Sequence, residues 1–144
     1  MTSDSINIIR LTENKAFTIV ELIVVVIVMG AIAGFAIPNY TRSVENAHYQ
    51  DAVLQLKAIH SAQQIYKARS GQYWPTDGST HYAYDMNNDL NLNLIEDGIT
   101  FTCTSADPAA GFSCQAERDG SSFTVTVDQA ALSGSNPSCT GNCP

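Results

Sequence analysis

The residues able to do chemistry fall into four groups. Glu21 is the only charge in the run from Phe17 to Ile37. An ionised carboxylate in hydrocarbon is costly and is kept where it meets a partner, so Glu21 is the first candidate for function. Cys103, Cys114, Cys139 and Cys143 form the second group. Their even number on the C-terminal side of the apolar run suits an oxidising compartment, and their spacings lack the Cys-x-x-Cys knuckles of zinc sites. Four cysteines allow three pairings. Cys103 with Cys114 and Cys139 with Cys143 is the favoured one, because it joins sequence neighbours and the first link would bridge strands flanking a turn. His48, His60 and His81 are the third group. They make no His-Glu-x-x-His pair, and neither a Gly-rich phosphate loop nor a set of nucleophile, base and orienter accompanies them, which argues against an enzyme. In the fourth, Asp85, Asn87, Asp89, Asn91, Asn93 and Glu96 match the oxygen-ligand spacing of a twelve-residue calcium loop, with Leu92 at its apolar position. Leu90 stands where such a loop needs Gly, so calcium competes with a plain Asn/Asp-rich turn region; no other cofactor is indicated.

These groups need elements to position them. The Phe17–Ile37 run has about the 20 residues that a helix needs to cross a hydrocarbon core of about 30 Å, which predicts a membrane span. A secretory signal cleaved after Ala31-Ile32-Ala33 or Gly34-Phe35-Ala36 competes with this reading, but the run is long for one and contains Glu21. An ordinary anchor is the other competitor, and it requires neither Glu21 nor the Ala16-Phe17 junction. Past Pro38 the apolar positions Ala47, Leu54, Ala58, Ile65 and Ala68 recur at helical spacing, which predicts an amphipathic helix over residues 39–70. Gly30, Gly34 and Pro38 are points of helix flexibility. Ser70-Gly71 and Pro75 should stop the helix.

Residues 71–98 read as a loop, with Tyr73 and Trp74 packing it onto the sheet. Strands are expected at Ile99–Cys103, Phe112–Ala116 and Phe123–Val127, joined by turns at Gly111 and Asp119-Gly120 into an antiparallel meander. From Ser133 the tail is small and polar, so only a disulfide should order it. The predicted class is α+β, a long helix packed on a small antiparallel sheet. A net charge of -7, with 14 acidic against 7 basic residues, argues against a general phosphate-binding surface, and no specific nucleic acid is expected.

Lys15-Ala16-Phe17-Thr18-Ile19-Val20-Glu21-Leu22, with Gly30, Pro38 and Tyr40 following, resembles the N-terminus of type IV prepilins and the related pseudopilins. It departs at Ala16, where the family usually has Gly. Gly71-Gln72-Tyr73-Trp74-Pro75 is similar to the Gly-x-Tyr-Pro turn of those proteins, with Trp74 inserted. The resemblance implies a leader at 1–16, cleavage by a prepilin peptidase between Ala16 and Phe17, methylation of Phe17, a membrane and filament-core helix at 17–38, and a soluble head at 39–144. It also implies a homopolymer in which Glu21 meets the Phe17 amine of a neighbouring subunit while Leu22, Ile23, Val26, Ile27 and Ile32 bundle with other copies. The inner-membrane assembly machinery would be the further partner, and the chain would pass from an inner-membrane pool into a surface filament. A structural subunit of a type IV pilus is the expected function. A type II secretion pseudopilin, or a minor pilin serving as an adhesin or DNA receptor, is the alternative.

Overall fold

The computed structural model describes residues 17–120 and 123–143. Its elements are α1 (Ile19–Ser70), β1 (His81–Tyr82), α2 (Ala83–Asp89), β2 (Ile99–Thr104), β3 (Ser113–Arg118), β4 (Phe123–Asp128) and β5 (Ser138–Gly141). The chain divides into two units, residues 1–40 and 41–144, and α1 contributes to both.

In the first unit α1 is long and apolar enough to cross a membrane. Its apolar side chains, Leu22, Ile23, Val26, Ile27 and Ile32 among them, are all exposed. A helix needs no partner for its backbone polar groups, which makes it one of two structures able to stand in hydrocarbon. Pro38 lies within α1 and lacks an N–H, so the carbonyl of Gly34 loses its usual donor at that turn.

In the second unit the face of α1 that packs is Tyr49, Ala52, Leu56, Ile59, Gln63 and Tyr66, at alternating spacings of three and four. Against it lie Ile99, Phe101 and Cys103 of β2, Cys114 and Ala116 of β3, and Phe123, Val125 and Val127 of β4, all buried. Tyr49 meets Phe123 edge-on at 5.7 Å between ring centroids. The expected apolar positions Ala47, Leu54, Ala58, Ile65 and Ala68 are instead exposed. The sequence therefore holds two apolar stripes on α1. The buried one is disguised by Gln63, His60 and two tyrosines, whose polar atoms lower its apparent apolarity although their bodies fill the core.

The helix ends as the sequence predicts. Lys67 and Arg69 sit in its last turn, where positive charge complements the helix dipole. Gly71 adopts φ +81°, and its N–H donates to the Lys67 carbonyl at 2.8 Å. Lys67 Nζ lies 4.0 Å above the Tyr73 ring, and Tyr73 packs on Phe112 at 5.0 Å.

The five strands follow chain order, β1-β2-β3-β4-β5, with every neighbouring pair antiparallel. The inward residues alternate along β2, β3 and β4, as a sheet with one covered face requires. Two expectations need correction. Residues 71–98 are not all loop, because β1 and α2 lie inside them. Ala83 and Met86, one helical turn apart, are both buried and hold α2 in place despite its Asn and Asp content. The tail is also ordered by more than a disulfide, since β5 pairs with β4 from Phe123↔Gly141 to Thr126↔Ser138.

Four side-chain amides take over where sheet pairing stops. Gln63 donates to the Trp74 carbonyl at 2.6 Å and accepts the Trp74 N–H at 2.9 Å. Gln55 does the same to both peptide groups of Ile95, and Asn87 to both of Leu94. Asn136 accepts the Asp128 N–H and donates to the Ala130 carbonyl. A side-chain amide carries the same donor and acceptor as a peptide, so the first three each act as a one-residue piece of ladder, and Asn136 bridges the last residue of β4 and the turn after it. Arg118 adds a charged tie, its Nη1 donating to the Gly98 carbonyl at 2.6 Å while its Nη2 lies 3.6 Å from Glu45.

Candidate functional site

The site begins at the N-terminus of α1, where the first backbone N–H groups have no partner inside the helix. Thr18 and Glu21 satisfy two of them reciprocally. Glu21 Oε2 accepts the Thr18 N–H at 3.0 Å and the Thr18 hydroxyl at 2.8 Å, while the Thr18 hydroxyl oxygen accepts the Glu21 N–H at 3.2 Å. This is a capping box, Thr-x-x-Glu, and it gives Glu21 a second role beside any intersubunit one. Thr18 was not among the candidate residues. The four-residue pattern was the signal that could have found it.

Phe17 is 75% exposed beside this cap, and Lys15 and Ala16 lie outside the described residues. At Gly30 and Gly34 an added Cβ would meet no atom within 4 Å, so nothing within the chain requires glycine there. What α1 presents over this stretch is an uncovered apolar helix, a carboxylate already hydrogen-bonded locally, and two positions where another backbone could approach closely.

The cysteines sit elsewhere and staple the sheet. Cys103 and Cys114 occupy directly opposed positions on β2 and β3, both fully buried, and form a disulfide with a Cα–Cα distance of 4.0 Å. Cys139 on β5 is joined to Cys143 across 6.2 Å. No free cysteine is present among the described residues.

The histidines do not converge. His48 is half-buried on α1, and His60 is buried against Phe112, with Nε2 2.9 Å from the Ala130 carbonyl. His81 lies between two carboxylates. Its Nε2 is 3.0 Å from Asp77 and its Nδ1 3.2 Å from Asp85, and its ring lies 4.9 Å from that of Trp74. Burial lowers its affinity for a proton, but the hydrogen bonds and charges of Asp77 and Asp85 outweigh this and raise its pKa above the usual value. Asp77 is held below the usual carboxylate range by the backbone N–H of Ser79, then by His81.

The same geometry shows where the residues of the calcium-loop pattern lie. Asp85, Asn87 and Asp89 lie on a helix rather than in a loop. Asp85 bonds His81, Asn87 clamps Leu94, and Asp89 accepts the Trp74 indole N–H at 2.9 Å. Asn91 takes φ 55° just after α2, the left-handed conformation in which Asn commonly ends helices. Glu96 lies beyond the Leu94 and Ile95 clamps. Among the described residues no three His, Cys, Asp or Glu side chains gather to hold a metal.

Comparison with known proteins gives this arrangement its context. The chain is 34% identical over 68 residues to the type II secretion system core protein G of Vibrio cholerae, covering 47% of each protein. It is 29% identical over 106 residues to the type IV major pilin protein PilA of Myxococcus xanthus, covering 71% of this chain and 48% of that one. A core protein G from Klebsiella michiganensis is 31% identical over 68 residues, 47% of this chain and 48% of the relative. The chain thus spans about half the length of the curated relatives it matches. No family model matches it, and no solved structure matches it. Its long apolar N-terminal helix, its small antiparallel sheet and these relatives together place the chain in the type IV pilin and pseudopilin superfamily.

Proposed function

We propose that this protein is a pseudopilin-like core subunit of a type II secretion apparatus, polymerised through its N-terminal helix. The relatives named core protein G, recurring across several genera, carry that choice. In this reading a prepilin peptidase cleaves between Ala16 and Phe17, Phe17 is methylated, and the chain waits in the inner membrane with its head outside the cytoplasm. The assembly machinery then draws subunits into a fibre in which Glu21 meets the Phe17 amine of a neighbour. An unpaired carboxylate in an apolar core is disfavoured, so the ammonium also selects the register.

Two uncovered apolar surfaces support polymerisation: the 17–37 stretch, and the outward stripe Leu54 and Ile65 of the head's helix. A pilus filament is the second reading, favoured by the PilA match that reaches 71% of the chain. Deletion of the gene separates the two. Loss of exoprotein secretion with surface filaments intact supports the secretion role, whereas loss of long surface filaments built from this chain supports the pilus. In either case mass spectrometry should find a mature, methylated N-terminus at Phe17, and a terminus near Ala36 would overturn both.

A further inference from the structure

We propose that His81 is a pH-operated latch on the segment from Asp77 to Asp85, closed when the imidazole is protonated and open when it is neutral. The argument starts from donor counting. Both ring nitrogens of His81 face carboxylate oxygens, Nε2 toward Asp77 at 3.0 and 3.1 Å and Nδ1 toward Asp85 at 3.2 Å. Carboxylates only accept, and a neutral imidazole has one N–H, whereas an imidazolium has two. The observed geometry is therefore satisfied only by the charged ring. When the proton leaves, one nitrogen turns a lone pair toward a carboxylate, and a charge-assisted hydrogen bond is replaced by repulsion.

The groups that face His81 come from separate pieces of chain. Asp77 belongs to the turn before β1, Asp85 to α2, and Trp74 to the turn after α1. Asp89 reaches the cluster only through the Trp74 indole. From β2, the residue opposite His81 is Cys103, which its disulfide keeps from titrating.

His81 also belongs to the shortest strand of the sheet among the described residues. β1 has two residues at the sheet edge, and α2 has seven with no side-chain cap at its start. Tyr82 and Tyr84, both exposed, ride on the latched segment, so the state of His81 governs how this aromatic surface is presented. The latch is independent of whether the fibre belongs to a secretion system or a pilus.

Amide hydrogen exchange on the full chain in detergent micelles tests it, comparing about pH 5.5 with about pH 8.5, on either side of an ordinary histidine pKa, after correction for intrinsic exchange rates. Protection over residues 77–85 should fall about tenfold at the higher pH, as expected for losing one hydrogen bond to a charged partner, while β5 stays unchanged. In His81→Gln, whose single donor nitrogen can face only one of the two carboxylates and carries no charge, protection there should be low and the same at both pH values. Asp85→Asn provides a second variant and should blunt the pH response without abolishing it. Equal protection at both pH values in the unmodified chain, or an undiminished response in His81→Gln, overturns the latch.

Discussion

The two parts of α1 both carry aliphatic side chains, the first in a nearly all-apolar run and the second among charged and polar residues, and they put them to opposite uses. Up to Tyr40 the helix leaves its aliphatic side chains bare, whereas beyond Thr41 one stripe disappears beneath a sheet and a second stays exposed. Exposure of scattered apolar residues is ordinary, but an uninterrupted run along a helix marks a surface that something else covers. Burial of Leu56 therefore belongs to folding of the single chain, while the 17–37 stretch and, in the proposed fibre, Leu54 are left for contacts made after folding.

The largest effect should come from Glu21→Ala. Removing the charge makes the span more apolar, so membrane insertion should persist while fibres fall below detection by electron microscopy. Fibres at normal abundance would assign Glu21 to the helix cap alone.

The two stripes are separated by a pair of truncations. Leu56→Ala should destabilise the head by about 2–5 kcal/mol, the usual range for emptying a buried aliphatic site. Leu54→Ala should change stability by less than about 0.5 kcal/mol, as expected of an exposed position, yet reduce fibre yield. Thermal unfolding of the full chain in micelles, read beside fibre yield, checks both. Equal destabilisation by the two would erase the distinction between the stripes.

The disulfides sharpen the contrast within the head. Loss of Cys103–Cys114 as a double serine variant should cost about 2–5 kcal/mol, because a native link in a small exported domain usually does. Loss of Cys139–Cys143, which closes a separation of 4 residues rather than 11, should lower the melting temperature less.

Thr18→Val keeps the shape of the side chain and removes its hydroxyl, and should cost the start of α1 about 0.5–2 kcal/mol of local stability. Faster amide exchange confined to the first turn is the expected signature.

The smallest effect is that of pH on the head. His81 has a raised pKa, so its contribution is complete below about pH 6.5, the ordinary value, and is lost as pH rises through the raised one. Asp77 has a lowered pKa, so its contribution is complete above about pH 3.8 and disappears as pH falls through the lowered one. Stability should therefore be greatest between about pH 4 and about pH 6.5 and decline gently on both sides, as a pH series of melting curves would read.

Much of this architecture was legible because it rests on local signals. The unbroken apolar run, the Gly71 stop and the alternation in Phe123–Val127 each declare an element within a few residues. The inward face of α1 was not legible, since an isolated helix with two apolar stripes does not say which one a sheet will choose. Gln63 reads as a solvent-facing residue until its partner Trp74 is seen eleven positions away. α2 was missed because its sequence, Ala-Tyr-Asp-Met-Asn-Asn-Asp, is turn-like by composition and helical only through the burial of Ala83 and Met86. At the candidate site, Glu21 stood out by its charge, whereas Thr18 did not, because its contribution lies in a backbone geometry shared with Glu21.

The amide clamps have a consequence for how the head can vary. The clamps made by Gln55, Gln63 and Asn87 each grip the peptide groups of one residue and ignore its side chain, so the path of the chain is fixed there independently of what it displays. Ile95 is held by Gln55 in this way while its side chain is 61% exposed. That position is a natural place to graft a label, a charged residue or a short recognition tag, because the chemistry shown to the surroundings can be rewritten there while the scaffold beneath keeps its course.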